Sequence, residues 1–364
     1  MATSRADLAV LGAGPAGAAC ALAAAQRGLA VIVFDPRRAP TDAPCGEGIM
    51  PSGVDVLRAL GLGAATDEGR PFDGVRHVVA GAAPLAIDLP RPGLAVRRPH
   101  LLAHLDRALA DAGVTRTHAT AQAVRTDAGF RVTSAEGDVK VRAVVGADGT
   151  AGAGLPGLAY PDRSRPPSRF GLRARFTERR PLDRVEVHFG HGCEVYLTPL
   201  PGAVVNVAVL FERPPADARG PEGLLAAALA RHPAAAERLG DVVTPPEGRP
   251  ILRRVPRPVA AHGAFLAGDA AGAVDPIVGC GVSIALRTGV CAARAATAFV
   301  RGARADLVDR RYAAAVRAES AARQVLATAL RRADRHPRLA RFTVGALTRM
   351  PAVARALARV AGGR

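Results

Sequence analysis

The chain has no tryptophan, three tyrosines, three methionines and a single lysine in 364 residues. With aromatics at 4%, it is poor in the stacking rings that single-stranded nucleic acid uses, and it carries no nucleic-acid motif. A formal net charge of +17 is therefore not read as a nucleic-acid footprint. Lys140 is the lone lysine, so 48 of the 49 basic residues are arginine. Arginine, alanine, glycine and proline are abundant together, as GC-rich coding would make them. The positive charge still suits an anionic lipid or an acidic partner. Cysteine is sparse and odd in number: Cys20, Cys45, Cys193, Cys280 and Cys291, with no C-x-x-C pair. That pattern speaks against a disulfide framework and a zinc site, and suits a reducing compartment. No metal is expected. Long apolar runs are missing too. The longest soft stretch, residues 12–25, is mostly glycine and alanine, so no membrane span is expected. The first residues lead straight into a strand, without the basic and apolar regions of a secretory signal. The expectation is a cytoplasmic protein, with any membrane association confined to a surface.

What is present is concentrated first in Leu8 to Asp35, which reads as strand, glycine turn, helix, strand and terminal acid. The turn Gly12-Ala13-Gly14-Pro15-Ala16-Gly17 is a G-x-G-x-x-G. Gly12 permits the tight turn, Gly14 leaves room for a pyrophosphate, and Gly17 lets helix and strand lie close. The helix start offers unpaired N–H groups and the positive dipole end to phosphates. Asp35, 18 residues after Gly17, is placed to bond the hydroxyls of an adenosine ribose. The framed motif points to a dinucleotide site.

After Asp35 a polar, proline-rich loop leads to Cys45-Gly46-Glu47-Gly48. These glycines would let backbone pass close to a flat ring. Cys45 and Glu47 are read either as pocket residues or as a turn cysteine and a helix-start acid. A short helix spans residues 54–60. Residues 75–94 read as a β-excursion. Arg97 and Arg98 open a helix running to Ala112, where a guanidinium could reach a phosphate or remain solvated. Its leucines, Leu101, Leu102, Leu105 and Leu109, form a core stripe. Short strands follow, the last being Asp138 to Asp148, which sets Asp148 at a sheet edge. Residues 165–211 read as four antiparallel strands. In the strand from Arg184, Val185, Val187 and Phe189 alternate with Glu186 and His188. The apolar face is expected to be core and the polar one to roof a pocket. His188 is a satisfied sheet histidine or a catalyst. Tyr196 is a pocket-lining candidate. A short helix, residues 223–239, and a proline-rich return, residues 244–258, lead back.

A second signal is Ala264 to Gly272, a strand ending in Gly268-Asp269, followed by Pro276 and Gly279-Cys280-Gly281-Val282 at a helix start. Asp269 is placed to accept from cofactor hydroxyls. The N–H groups around Cys280, Gly281 and Val282 would stabilise negative charge on a flavin's reduced ring edge. The tail from Asp306 is helical, alanine- and arginine-rich, and broken at Pro337 and Pro351. Residues 348–360 are amphipathic and suit either a membrane surface or packing on the domain.

GAGPAG with Asp35, VVGADG at 144–149 and GDAAGAVDPIVGCG at 268–281 occur in this order. Together they resemble FAD-dependent oxidoreductases of the p-hydroxybenzoate hydroxylase fold, in particular the geranylgeranyl-reductase-like branch, over roughly residues 7–310. The resemblance implies an α/β fold: a Rossmann-type FAD-binding domain, an inserted antiparallel β-sheet substrate domain and a C-terminal helical tail. The FAD domain would take residues 1–74, 96–160 and 251–310, the substrate domain 75–95 and 161–250, and the tail 311–364. Gly12, Gly14, Pro15, Ala16, Gly17 and Asp35 would hold the ADP half. Arg98 and Asp269 would hold the ribityl and phosphate region, and Asp148 and Gly268 would also be cofactor-binding residues. Pro276, Gly279, Cys280, Gly281 and Val282 would skirt the isoalloxazine. Two departures stand out. Gly152 and Leu155 replace the usual Ser and Arg after Ala-Asp-Gly, weakening a nicotinamide contact. The segment Tyr196-Leu197-Thr198-Pro199-Leu200-Pro201 lacks the Trp and Phe of the isoprenoid reductases. Without tryptophan, and with its one lysine on a strand, the chain also lacks what flavin halogenases rely on.

The leading expectation is an FAD monooxygenase, hydroxylating an apolar aromatic or polyketide-like small molecule through a flavin C4a-hydroperoxide, with NAD(P)H as electron donor. The alternative is reduction of a C=C bond in an isoprenoid chain, with Cys45 or a neighbour as proton source. A third is a non-catalytic FAD-binding or prenyl-chain escort protein. Cys45 and Tyr196 are the catalytic candidates. The expected partners are an apolar small molecule, no nucleic acid, and a membrane surface met by the C-terminal helices.

Overall fold

The computed structural model describes residues 4–151, 155–158, 169–190, 192–252 and 258–363. Gly152 and the first residues of the stretch expected at 165–211 lie outside the described residues. The chain begins with β1 (Ser4–Arg5), β2 (Leu8–Leu11), α1 (Pro15–Ala25), β3 (Val31–Phe34), β4 (Gly48–Ile49), α2 (Pro51–Ala59) and α3 (Gly63–Asp67). It continues with β5 (Arg70–Val78), β6 (Leu85–Ala95), α4 (Arg98–Asp111), β7 (Thr115–Thr117), β8 (Ala121–Thr126), β9 (Gly129–Ser134), β10 (Gly137–Val141) and β11 (Ala143–Gly146). Then come β12 (Arg169–Glu178), β13 (Val185–His188), β14 (Cys193–Leu200), β15 (Val204–Phe211), α5 (Gly220–Arg231), α6 (Pro233–Ala236) and β16 (Leu239–Ile251). The chain closes with β17 (Ala260–Ala261), β18 (Ala264–Leu266), α7 (Gly281–Val300), α8 (Ala305–Arg335), α9 (Pro337–Arg349) and α10 (Pro351–Gly362).

Among the described residues three sheets result. The first has the order β17-β18-β11-β2-β3-β7 and is parallel from β18 to β7. Its strands β2, β3 and β11 are buried along their whole length, as parallel strands covered on both faces must be. The register sets Leu11 beside Phe34 and Gly146, and Gly146 beside Leu266. The loops carrying Gly12, Asp35, Asp148 and Asp269 therefore leave the sheet at one level, on its carboxyl edge. α1 and α7 cross tightly because small residues line the contact. A Cβ on Gly289 would lie 2.2 Å from the Ala16 carbonyl oxygen.

The second sheet, β1-β10-β9-β8, flanks the first. The stretch from Asp138 to Asp148, expected as one strand, is two: β10 and β11 divide at Arg142 and join different sheets. The third sheet has eight strands in the order β16-β12-β15-β14-β13-β5-β6-β4. The excursion and the four expected strands thus share one sheet, and β13 pairs β5 in parallel within an otherwise antiparallel array. The proline-rich return also corrects the sequence reading. Residues 239–251 form an edge strand on β12 and not a connector, because an edge tolerates the missing N–H groups of Pro245, Pro246 and Pro250. The preceding helix is split at Pro233 and starts at Gly220. The tail breaks at Pro337 and Pro351 as expected, and α10 packs against β6.

Candidate active site

A cavity of about 810 Å³ runs from the carboxyl edge of the parallel sheet to the inner faces of α8, α9 and α10. That is the upper range for a small-molecule site. Gly12, Gly14, Pro15, Ala16, Asp35, Arg98, Asp148, Gly268, Asp269, Pro276, Gly279, Gly281, Val282, Cys45 and Tyr196 all line it. Gly17 and Cys280 stand behind the lining as parts of the two helix starts.

At the polar end, Gly12 has φ +103°, and a Cβ there would lie 2.5 Å from the Ala147 carbonyl oxygen. A Cβ on Gly17 would lie 1.8 Å from the Gly12 oxygen. Gly14, by contrast, faces open space with nothing within 4 Å of a built Cβ. That gap lies at the N-terminus of α1, whose first turn carries no acid. The first turn of α7, beginning at Gly281, is likewise free of acids and turned to the cavity. Two helix starts thus offer N–H groups to one elongated anion.

Asp35 is more occupied than its spacing suggests. Its Oδ2 accepts from Ala13 N at 2.6 Å and Arg37 Nη2 at 2.7 Å. Its Oδ1 accepts from the Arg37 backbone N at 2.9 Å and Nε at 2.7 Å. Burial raises the Asp35 pKa, but the Arg37 guanidinium and the Ala13 N–H outweigh it and hold the carboxyl below its ordinary value. With about four lone-pair sites on a carboxylate, Asp35 accepts ribose hydroxyls only if the Arg37 guanidinium swings aside. Arg37 itself lines the cavity.

Asp269 turns its accessible surface into the cavity but lies deep in the fold. Burial raises its pKa, partly offset by Arg249 and Arg98. Arg98 donates its backbone N–H to Glu47 Oε1 at 2.8 Å, while its buried Nε has no partner. An orphaned guanidinium nitrogen, an open glycine gap and two acid-free helix starts fit the diphosphate and sugar-alcohol chain of FAD.

Glu47 joins the pocket by a route the sequence leaves open. It is buried, holds φ +54°, and forms an ion pair with Arg175. Arg175 also donates to Asp42 Oδ2 at 2.8 Å. Asn206 Nδ2 donates to the Cys45 carbonyl at 3.0 Å, and Glu47 N donates to Cys45 Sγ at 3.4 Å. The loop bearing Cys45 is thus pinned to β12 and β15, with the thiol on the cavity wall.

The other end is apolar. Val185 and Val187 on β13 and Phe189 just after it face the cavity, and Glu186 and His188 face away, the reverse of the assignment expected from the sequence. Glu186 pairs there with Arg76 and Arg238, and His188 Nε2 lies 3.3 Å from Glu186. His188 is a satisfied sheet histidine outside the cavity. Leu85, Ile87, Leu326, Leu330, Leu347 and Leu357 complete the apolar wall. The Tyr196 hydroxyl donates to the Ile277 carbonyl at 2.9 Å, anchoring the turn before Gly279. Burial, then the neighbouring Glu194, raise the Tyr196 pKa well above its ordinary value, so the phenol keeps its proton. Behind this turn Arg169 pairs with Glu194 and with Asp275, the latter at 2.6 Å.

Several of these residues were not legible. Arg37, Arg169, Arg175 and Arg249 are four arginines among 48, with no local signature. His77 faces the cavity in line with Val75 and Val187, an alternation that could have revealed it. Among the described residues no group of three or more His, Cys, Asp or Glu could hold a metal ion. No helix among them is long and apolar enough to cross a membrane.

Residues 7–168 match the family model described as lycopene cyclase protein. A menaquinone reductase of Mycobacterium tuberculosis is 38% identical over 154 residues, covering 40% of this chain and 38% of that protein. The chain thus spans about two fifths of the length of these curated menaquinone reductases. A digeranylgeranylglycerophospholipid reductase of Methanothermobacter thermautotrophicus is 27% identical over 322 residues, covering 81% of this chain and 77% of that protein. A flavoprotein/dehydrogenase from Cytophaga hutchinsonii superimposes with TM-score 0.84 at 18% identity, over 99% of this chain and 93% of that one. A flavin-dependent brominase gives 0.83 at 20%, covering 99% and 94%. A probable FAD-dependent monooxygenase from Pseudomonas aeruginosa gives 0.79 at 22%, covering 94% and 100%. These likenesses establish the fold as that of FAD-dependent flavoproteins.

Proposed function

We propose that this chain, built on the fold of FAD-dependent oxidoreductases, holds FAD at the polar end of its cavity and reduces a C=C bond of an isoprenoid chain at the apolar end. The observation that carries this reading is the apolar lobe beyond the Pro276–Gly281 loop, walled by Leu85, Ile87, Phe189, Leu330 and Leu357. The relatives matched in sequence, named for menaquinone and for a digeranylgeranyl lipid, support it.

Bound and reduced, FAD supplies two electrons and one hydrogen to the substrate; the second hydrogen must arrive as a proton. The starts of α1 and α7 would hold the diphosphate and the ring edge by their N–H groups. Asp269 would accept from the sugar-alcohol chain, and Arg98 would donate to the phosphates. Tyr196 fixes the 276–278 turn by its bond to Ile277 and delivers no proton. Cys45, held on the wall by Asn206 and Glu47, is the thiol placed to give one. The apolar lobe excludes water from the reacting carbon atoms. NAD(P)H is the proposed electron donor.

Hydroxylation of an apolar aromatic or polyketide-like molecule would use the same cavity, and oxygen dependence separates the two reactions. The FAD-loaded protein, reduced with dithionite without oxygen, is mixed with a polyprenyl quinone. Reoxidation of the flavin, with a product that stays two hydrogens heavier in its prenyl chain after its ring is returned from quinol to quinone, supports the reductase. Turnover only in air, with an oxygen atom in the product, sinks it.

A further inference from the structure

The C-terminal helices are apolar on both sides, and only one side is explained by the cavity. Val344 and Leu347 of α9 and Leu357 of α10 face inward and line it. On the outer side Phe342 is 73% exposed, Met350 52%, Leu339 41% and Val353 40%. Leu339 and Phe342 lie one turn apart on α9, Met350 at the turn that follows and Val353 in the first turn of α10, so the four share one short segment of the surface. The same segment is one-signed in charge. Residues 335–364 contain seven arginines and no acid, Asp334 being the last in the chain. Arg335 is engaged by Glu212, and Arg341 donates to the Ala80 carbonyl. Arg338, Arg349 and Arg355 are exposed and pair with no acid among the described residues.

We propose that the outer face of α9 and the start of α10 dock on an anionic lipid bilayer, with Leu339, Phe342, Met350 and Val353 entering the headgroup boundary and Arg338, Arg349 and Arg355 against lipid phosphates. The charge selects the occupant. A second copy of this face would bring like arginines together, whereas an anionic bilayer complements them. An apolar stripe rimmed by arginine on a helix lying flat is the pattern of interfacial binding. The inner faces of the same helices wall the apolar lobe, so docking would set that lobe about one helix diameter, roughly 10 Å, from the lipid. This inference needs only the surface, and it stands or falls separately from the proposed reaction.

The absence of tryptophan supplies a clean probe. In the FAD-loaded Phe342→Trp variant of the 364-residue chain the single indole reports on this face alone. Its emission is expected to shift to the blue with vesicles containing phosphatidylglycerol and to stay unchanged with phosphatidylcholine alone. Sedimentation of unsubstituted protein with the anionic vesicles is expected to fall about tenfold when Arg338, Arg349 and Arg355 are changed together to Gln, and also when salt is raised severalfold. FAD absorbance and thermal unfolding of that variant serve as folding controls and should match the parent. No blue shift with anionic vesicles, or equal binding to neutral and anionic vesicles, overturns the proposal. So does a concentration-dependent dimer that Phe342→Ser abolishes, because the face would then belong to a second copy.

Discussion

Gly12 and Gly14 are two residues apart and answer to opposite constraints. Gly12 is fixed by its positive φ and by the Ala147 carbonyl, so Gly12→Ala strains the fold itself. Gly14 faces open space, so Gly14→Val fills only the gap meant for the diphosphate. Thermal unfolding and FAD titration should separate them. Gly12→Ala is expected to lose roughly 3 kcal/mol of stability. Gly14→Val should unfold near the parent temperature yet bind FAD at least about tenfold more weakly. Equal loss of stability in both would contradict the division. His77 gives a second test at this scale. Burial holds its pKa down, to about 4 from an ordinary 6.5. Between those values the unfolded chain takes up a proton that the folded one refuses. Stability present above pH 6.5 is therefore lost as pH falls toward 4. His77→Gln is expected to remove that acid-side slope, worth on the order of 2 kcal/mol after cavity water screens it. An unchanged slope in urea titrations across that range would contradict it. The glycines were legible because turn geometry and close approach leave no other residue. The Arg37 clasp on Asp35 was not, because a guanidinium can reach many acids and spacing does not choose among them.

At the level of elements, the site depends on how loops are tied to the eight-stranded sheet. The loop through Cys45 and Glu47 is held by Arg175 of β12 and Asn206 of β15. Removing the Glu47 carboxylate leaves Arg175 buried with Asp42 alone and takes the acceptor from Arg98 N. Glu47→Ala is expected to cost about 3 kcal/mol in urea unfolding and to weaken FAD binding. A fully stable variant with parental FAD affinity would show that the loop is held otherwise. α8 is fastened similarly: Asp334 Oδ1 accepts from Gly190 N at 2.7 Å. The parallel core was readable because fully buried strands are continuous apolar runs bounded by glycine. β16 was not, because its prolines argue against a strand unless one knows that it lies at an edge. The facing of β13 was inverted for a related reason. Alternation separates two faces, but a cavity meant for an apolar ligand is itself apolar, and polarity does not reveal which face lines it.

Across the whole molecule, the parallel sheet, the eight-stranded sheet and a helical tail converge on one cavity, with charge and N–H groups at one end and aliphatic side chains at the other. The motifs along the parallel sheet specified the first end. The second depends on Leu326, Leu330, Leu347 and Leu357 arriving from a tail whose alanine- and arginine-rich sequence fits packing and membrane contact alike. A ligand bound only by the folded state raises stability, by about 2.7 kcal/mol at a hundred times its dissociation constant. FAD is expected to raise the unfolding temperature accordingly, and riboflavin, lacking the diphosphate, to do so far less. The most direct measurement is a visible-absorbance titration of the purified, folded chain with FAD. One equivalent should bind saturably with a perturbed flavin spectrum, and Gly14→Val should need at least about tenfold more FAD to reach the same perturbation. A folded chain that leaves the flavin spectrum unchanged at every concentration would contradict the flavin site.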